Sequence, residues 1–284
     1  MTIGGVLTAM VTPFGDDGEL NEEAAVRLMR YLLENGSDGL VLTATTGENP
    51  TLTDEEMVRL WELGVEERGD ATIVAGTGSN DTRHAIELTE RAHEAGVDAM
   101  LVVTPYYNKP NRRGIIEHYK AVAAATDKPI VLYNIPSRVV LDLPNDFLAE
   151  LAQIERVDYV KQANNANLAP VDGLGLYAGN DEIFARTLDV GGLGGILVAS
   201  HVVGDEMRRM VDEPDQRAEI DARLQDVWQA MGVTTNPIPV KAALNMLGHR
   251  VGGLRLPLVE ADEDEQAAVR VVLERHGLLQ TAGA

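Results

Sequence analysis

Cysteine is missing from this chain of 284 residues, which excludes disulfides, thiolate metal sites and a cysteine nucleophile. Aromatic residues are scarce at 4%, so a core drawn from the 45% of hydrophobic residues must consist mainly of Ala, Val, Leu and Ile. No apolar run approaches the ~20 residues of a membrane helix. The opening Met1-Thr2-Ile3-Gly4-Gly5 lacks the basic stretch and apolar core of a signal peptide. We therefore expect a soluble, cytoplasmic protein with no membrane partner. Positive charge is also short: 24 Lys and Arg stand against 45 Asp and Glu, a formal charge of −21. Phosphate backbones require clustered cations, so nucleic acid is not an expected partner. The acidic excess has two readings, a well-solvated surface or adaptation to high salt. Only five lysines occur, Lys109, Lys120, Lys128, Lys161 and Lys241, so the position of each is informative.

Short apolar runs alternate with longer amphipathic stretches along most of the chain. The runs Val6–Val11, Gly39–Thr43, Ile73–Gly76, Ala99–Thr104, Pro129–Tyr133, Val157–Lys161, Leu176–Gly179 and Gly194–Ala199 are mostly apolar rather than alternating. Strands of a parallel sheet, buried on both faces, have this pattern. Between them, Ala25, Leu28, Met29, Leu32 and Leu33 form a helical stripe that Gly36 stops, and Asn80 to Ala95 ends likewise at Gly96. The weakest crossover is Ala166–Gly175, short and poorly periodic. Eight such units predict an α/β fold, a (β/α)₈ TIM barrel. The alternative, a doubly wound open sheet, lacks the G-x-G-x-x-G expected after its first strand. Three further helical stretches, Glu219–Met231, Pro239–Leu247 and Asp262–His276, read as a C-terminal helical appendage. The expected division is 1–215 for the barrel with its catalytic site and 216–284 for the helical extension.

Barrels of this kind carry their chemistry where strands run out into the βα loops. Strand two ends in Ala44-Thr45-Thr46-Gly47-Glu48, strand four in Thr104-Pro105-Tyr106-Tyr107-Asn108 and strand five in Tyr133-Asn134-Ile135-Pro136-Ser137-Arg138. Strand six ends in Lys161, strand seven in Gly179-Asn180-Asp181 and strand eight in Ser200-His201. Val157 and Val160 lead into Lys161 within a buried strand, and an unpaired ammonium is costly to bury. Such a lysine is paired with a carboxylate, neutral, or aimed into a cavity. In the last two cases desolvation makes its amine a nucleophile toward a carbonyl carbon. Tyr133 on the adjacent strand can move the protons that imine formation requires, although a lone tyrosine at a strand end is also an ordinary rim residue. Thr45 and Thr46 offer hydroxyls and N–H groups to a small carboxylate, or simply turn and cap chemistry. Arg138 offers a bidentate fork for a second carboxylate, or a surface salt bridge. The six histidines lack ligand spacing and Asn180-Asp181 alone makes no site, so no metal or other cofactor is expected. Gly191-Gly192-Leu193-Gly194-Gly195 reads as a tight turn into strand eight rather than a phosphate-gripping loop.

Taken in order, Val11-Thr12-Pro13-Phe14, Thr45-Thr46-Gly47-Glu48, Val103-Thr104-Pro105-Tyr106-Tyr107, Tyr133-Asn134-Ile135-Pro136-Ser137-Arg138 and Lys161 resemble the motifs of the dihydrodipicolinate synthase / N-acetylneuraminate lyase family over essentially the whole chain. The resemblance implies a class I aldolase that binds pyruvate as a lysine imine without metal, in a homotetramer built as a dimer of tight dimers. Asn236-Pro237-Ile238-Pro239-Val240-Lys241, Leu254-Arg255-Leu256-Pro257 and Arg138 look like the synthase branch, whose second substrate is L-aspartate-4-semialdehyde and whose product, 4-hydroxy-tetrahydrodipicolinate, leads to diaminopimelate and lysine. By that resemblance Lys161 forms the imine and Tyr133 shuttles protons. Thr45 links Tyr133 to Tyr107, which reaches in from a neighbouring subunit. Thr46 binds the pyruvate carboxylate, Arg138 holds the semialdehyde carboxylate, and the carbonyls of Gly179 and Ile196 line the pocket. A 2-keto-3-deoxy-sugar-acid aldolase of the same superfamily and a catalytically silent keto-acid-binding barrel are the alternatives.

Departures from the motifs cluster near the lysine, with Gln162 where an acidic residue often follows it and His201 where many relatives have Asn. In relatives inhibited by lysine, that ligand's ammonium meets a Glu on the helix after strand three. His84 occupies that position here, and Asn49, Pro50 and Asp54 also differ. Inhibition by lysine is therefore expected to be weak or absent.

Overall fold

Eight parallel strands close on themselves, β1 Val6–Ala9, β2 Gly39–Leu42, β3 Thr72–Gly76, β4 Ala99–Val103, β5 Ile130–Asn134, β6 Val157–Gln162, β7 Gly175–Ala178 and β8 Gly194–Leu197, with β8 pairing back onto β1. This computed structural model describes residues 2–279; Met1 and residues 280–284, the last five of the expected C-terminal extension, lie outside the described residues. All eight expected strands are present with ends shifted by a residue or two. The end of β2 has a local cause: Thr43 has φ 54, outside the β region, so the strand stops at Leu42.

The crossover helices are α1 Glu22–Glu34, α2 Asp54–Glu67, α3 Thr82–Ala95, α4 Arg112–Ala124, α5 Pro136–Val139, α6 Asn145–Leu151, α7 Phe184–Asp189 and α8 Ser200–Asp212. Their starts follow capping chemistry. Asn21 accepts from Ala24 N at α1, and Thr53 with Glu56 forms a capping box at α2. Gly96 caps α3 at φ 85, a conformation that disfavours a Cβ. The weak stretch Ala166–Gly175 contains no α-helix; only a 3₁₀ turn, Asn165–Asn167, precedes β7. The three C-terminal stretches are α9 Arg217–Met231, α10 Ile238–Met246 and α11 Glu263–Arg275, and α11 packs on both α9 and α10. No helix among the described residues is long and apolar enough to cross a membrane.

Alternation along the strands divides the core into two shells. Val160 of β6 faces the helices, while Tyr159 faces the barrel interior with Leu7, Val41, Leu101, Tyr133, Tyr177 and Ile196. Val157 also packs on the helix side because it precedes the register shift in this strand. Lys161 stands two residues beyond Tyr159 and therefore on the interior face. A register shift between Ile130 and Val131 sets Tyr133 directly opposite Lys161, which in turn lies opposite Tyr177.

Candidate active site

The site begins with a lysine that the fold cannot solvate. Lys161 is 4% exposed, and its Nζ lies 4.2 Å from the centroid of the Tyr133 ring. Burial pushes its pKa down to about 7; Asp181 pulls it upward and Arg138 adds to the fall. An ordinary lysine is neutral in roughly one copy in 2,500 at pH 7, and burial raises that fraction steeply for this one. Between the three options raised by the sequence, geometry favours a partly neutral amine at the top of the barrel. Tyr133 responds in the opposite direction: burial raises its hydroxyl to about 12, so it holds its proton at neutral pH and is ready to donate. Arg138 and a hydrogen bond with Thr45 moderate that rise.

Thr45 is presented by a strained turn after β2. Thr43, β-branched yet at φ 54, donates its hydroxyl to Gly76 O at 3.2 Å and accepts from Trp61 Nε1 at 2.8 Å. A Cβ at position 76 would stand 2.5 Å from Thr43 O, so the turn requires glycine beside it. Thr12 then donates to Gly47 O at 2.7 Å, fixing the turn to the end of β1. Thr46 is buried, and its hydroxyl accepts from Asn236 Nδ2 at 2.9 Å.

A cavity of about 310 Å³ opens at this end of the barrel, with Thr45, Tyr106, Tyr133, Arg138 and Asn236 in its wall. Lys161 and Thr46 are not part of the wall; the amine lies against the Tyr133 ring instead. Arg138 is exposed and donates from Nη2 to Asn236 O at 3.4 Å, leaving most of its fork free. Gly179 N donates to Gln162 O at 2.8 Å beyond β7, and Ile196 is wholly buried opposite Leu7. Tyr107 is not brought to this site: it is 88% exposed on a left-handed backbone, φ 71.

Both departures near the lysine are absorbed by hydrogen bonds. Gln162 Oε1 accepts from Asn134 Nδ2 at 3.0 Å and Asn164 N at 2.9 Å, and Asn134 also donates to Asp142 at 2.9 Å. His201 is fully buried, donating from Nδ1 to Val198 O at 2.7 Å and accepting at Nε2 from Val11 N at 3.2 Å. These partners define its tautomer, and burial lowers its pKa to about 4, so it bridges β1 and β8 as a neutral ring.

Two residues at the site were not singled out in the sequence. Asn236 carried only a branch motif, and nothing local indicated that it would meet Thr46 and Arg138. Asp181 ends strand seven, where barrel chemistry sits, but nothing in its sequence neighbourhood points to the buried lysine whose charge it supports. Its Oδ1 accepts from Val198 N and Ala199 N at 3.1 Å each, and burial raises its pKa to about 6.

The chain is similar over nearly its whole length to known proteins. A 4-hydroxy-tetrahydrodipicolinate synthase of a Synechococcus species is 44% identical, covering 98% of this chain and 95% of its own. The dihydrodipicolinate synthase of Cyanidioschyzon merolae with lysine bound superposes with a TM-score of 0.94 at 37% identity, covering 98% of this chain and 99% of that one. A dihydrodipicolinate synthase of Acinetobacter baumannii complexed with pyruvate does so with 0.93 at 34% identity, covering 98% and 100%. Residues 2–276 match the dihydrodipicolinate synthetase family, and the chain belongs to that family.

Proposed function

We propose that this protein is a 4-hydroxy-tetrahydrodipicolinate synthase, condensing pyruvate with L-aspartate-4-semialdehyde in the cytoplasm. The observation that carries the chemistry is the buried Lys161 amine against the Tyr133 ring, with its proton held only to about pH 7. Neutral Lys161 Nζ attacks the pyruvate ketone, and the Tyr133 hydroxyl donates a proton to the departing water, leaving an imine. Loss of a methyl proton converts the imine to an enamine, whose carbon attacks the semialdehyde aldehyde. The amino group of the condensed product then displaces Lys161 from the imine carbon, closing the ring; one water is lost overall. By the family resemblance Thr46 is the residue for the pyruvate carboxylate and the carbonyls of Gly179 and Ile196 are assigned to the pocket, although none of the three stands in the wall of the cavity.

Arg138, exposed at the cavity wall, is the residue for the carboxylate of the second substrate. A charge-assisted fork contributes about 1.5–3 kcal/mol. Arg138→Ala should therefore raise the KM for aspartate semialdehyde roughly ten- to a hundredfold while moving that for pyruvate little. Steady-state kinetics with each substrate varied in turn checks this. Faster turnover of 2-keto-3-deoxygluconate than of aspartate semialdehyde by the wild type would instead establish the sugar-acid aldolase.

The exposed Tyr107 supports an assembly of tight dimers paired into a tetramer, with this hydroxyl completing a neighbour's Thr45–Tyr133 relay. Tyr107→Phe should cut kcat strongly without changing the sedimentation of the oligomer. Mixing it with Lys161→Ala subunits should return part of the activity, because one mixed site then holds both intact groups. Mixed dimers that stay inactive would place Tyr107 at its own subunit's site.

Lysine should inhibit poorly. His84 Nε2 contacts Asp54 at 3.0 and 3.2 Å and Arg91 approaches the same carboxylate at 3.9 Å, so Asp54 already has partners of its own. Half-inhibition below roughly 1 mM, corresponding to binding stronger than about −4 kcal/mol, in an assay with pyruvate near its KM would overturn this expectation.

A further inference from the structure

Four motif residues have no part in the chemistry above, yet the fold brings them to one buried place: Phe14, Glu48, Lys241 and Arg255. Glu48 Oε1 lies 2.6 Å from Lys241 Nζ, and each side chain is 1% exposed. Lys241 Nζ also donates to Gly253 O at 2.6 Å, and Glu48 Oε2 accepts from Arg255 N at 3.1 Å. Lys241 Nζ and Arg255 Cζ each stand 4.3 Å from the centroid of the Phe14 ring. The Arg255 guanidinium continues to Glu56, at 2.5 and 2.8 Å, and to the carbonyls of Gly18 and Thr51.

A buried ion pair is a poor source of stability, since desolvating two charges offsets most of their attraction and a well-packed apolar pair often does as well. What an apolar pair lacks is direction. Glu48 ends the Thr45–Glu48 turn in a left-handed conformation, φ 55 and ψ 37, with its N–H on Thr45 O at 3.1 Å. A residue with a Cβ keeps that conformation only when its surroundings hold it. Two cross-links join the same two segments: Glu48 to Lys241 in α10, and Thr46 to Asn236 two residues before α10.

We propose that the buried Glu48–Lys241 pair is a positioning device for the imine site, anchoring the Thr45–Glu48 turn to α10. The anchor sets where the Thr45 and Thr46 hydroxyls stand relative to Tyr133 and Asn236. Glu48 borders the cavity, but its carboxylate is buried against Lys241 and the Arg255 N–H, so the pair acts through the two threonines. The inference rests on the synthase reading given above.

The test compares Glu48→Gln, Lys241→Met and the double variant with wild type. Competent sites are counted by borohydride trapping of pyruvate on Lys161, kcat is expressed per trapped site, and KM and Tm are measured alongside. Either single variant should lower Tm and reduce kcat/KM for pyruvate about 10- to 100-fold per site, the scale of a small misplacement of site groups. The double variant leaves no unpaired charge, so its Tm should recover while the kinetic defect remains. A wild-type KM and a wild-type kcat per site in the double variant would overturn the positioning role and leave a purely structural pair. Unchanged constants in folded single variants would do the same. Absence of any trapped adduct on wild-type Lys161 would overturn the synthase reading itself, a result distinguishable from the others.

Discussion

Pyruvate and borohydride together will leave one pyruvyl adduct, on the peptide carrying Lys161, and none on the other four lysines. Lys120 pairs with Glu117 at 2.8 Å, Lys128 lies near Asp127 at 3.8 Å, and Lys109 is exposed. None of these three side chains is buried, so nothing strips water from its amine. Lys241 is as buried as Lys161, but its Nζ is committed to Glu48 and Gly253. Only Lys161 joins burial to an amine free to react, so Lys161→Ala should lower turnover by about four orders of magnitude or more. The pH dependence follows from the same proton. The rate of imine formation should rise through about pH 7 as Lys161 deprotonates, and Asp181→Asn, removing the charge that supports the ammonium, should move that midpoint lower. The linkage sign is definite. Between about pH 7 and 10.5 the unfolded chain binds a proton that the folded chain does not, so this group makes stability rise with pH across that window. Lys161→Met, measured by thermal unfolding at pH 7, should be more stable than wild type by a few kcal/mol on the order of that shift. An unlabelled Lys161 in folded protein would sink the imine mechanism and favour a silent keto-acid-binding barrel.

Tyr133→Phe has the next largest expected effect. The substitution keeps the ring face that packs 4.2 Å from Lys161 Nζ and deletes only the hydroxyl bonded to Thr45. Positioned proton transfer contributes about 10²–10⁴ in rate, so kcat should fall by that factor. The final trapped fraction on Lys161 should stay near wild type, because the nucleophile and its burial are retained. A kcat within about threefold of wild type would show that another group moves the protons. Thr45→Val should give a smaller loss, since it disturbs the orientation of the hydroxyl rather than removing it.

The barrel and its lysine were legible because their signals are local. A buried parallel strand shows itself in four to six consecutive apolar residues, and a helix in its stripe and caps, as with Asn21, Thr53 and Gly96. Lys161 stood out for the same reason, a cation continuing an apolar run. The stretch Ala166–Gly175 was weak in the sequence because it holds no α-helix, only a 3₁₀ turn.

The sequence by itself determined the eight strands, the order of the motifs and the place of Lys161 at the end of a buried strand; the structure decided its face, by setting Tyr159, two residues before it, inside the barrel. Only the tertiary structure decided what those residues meet. The opposition of Tyr133 and Lys161 depends on a register shift near Ile130 that no local pattern announces. The bond from Asn236 to Thr46 spans 190 positions, and Arg255 reaches Glu56 across 199. Propensity and periodicity act over a few residues, whereas such contacts exist only after the barrel has closed and the C-terminal helices have folded back over its mouth. The depressed Lys161 pKa has the same origin, because desolvation belongs to the assembled interior and not to any stretch of chain.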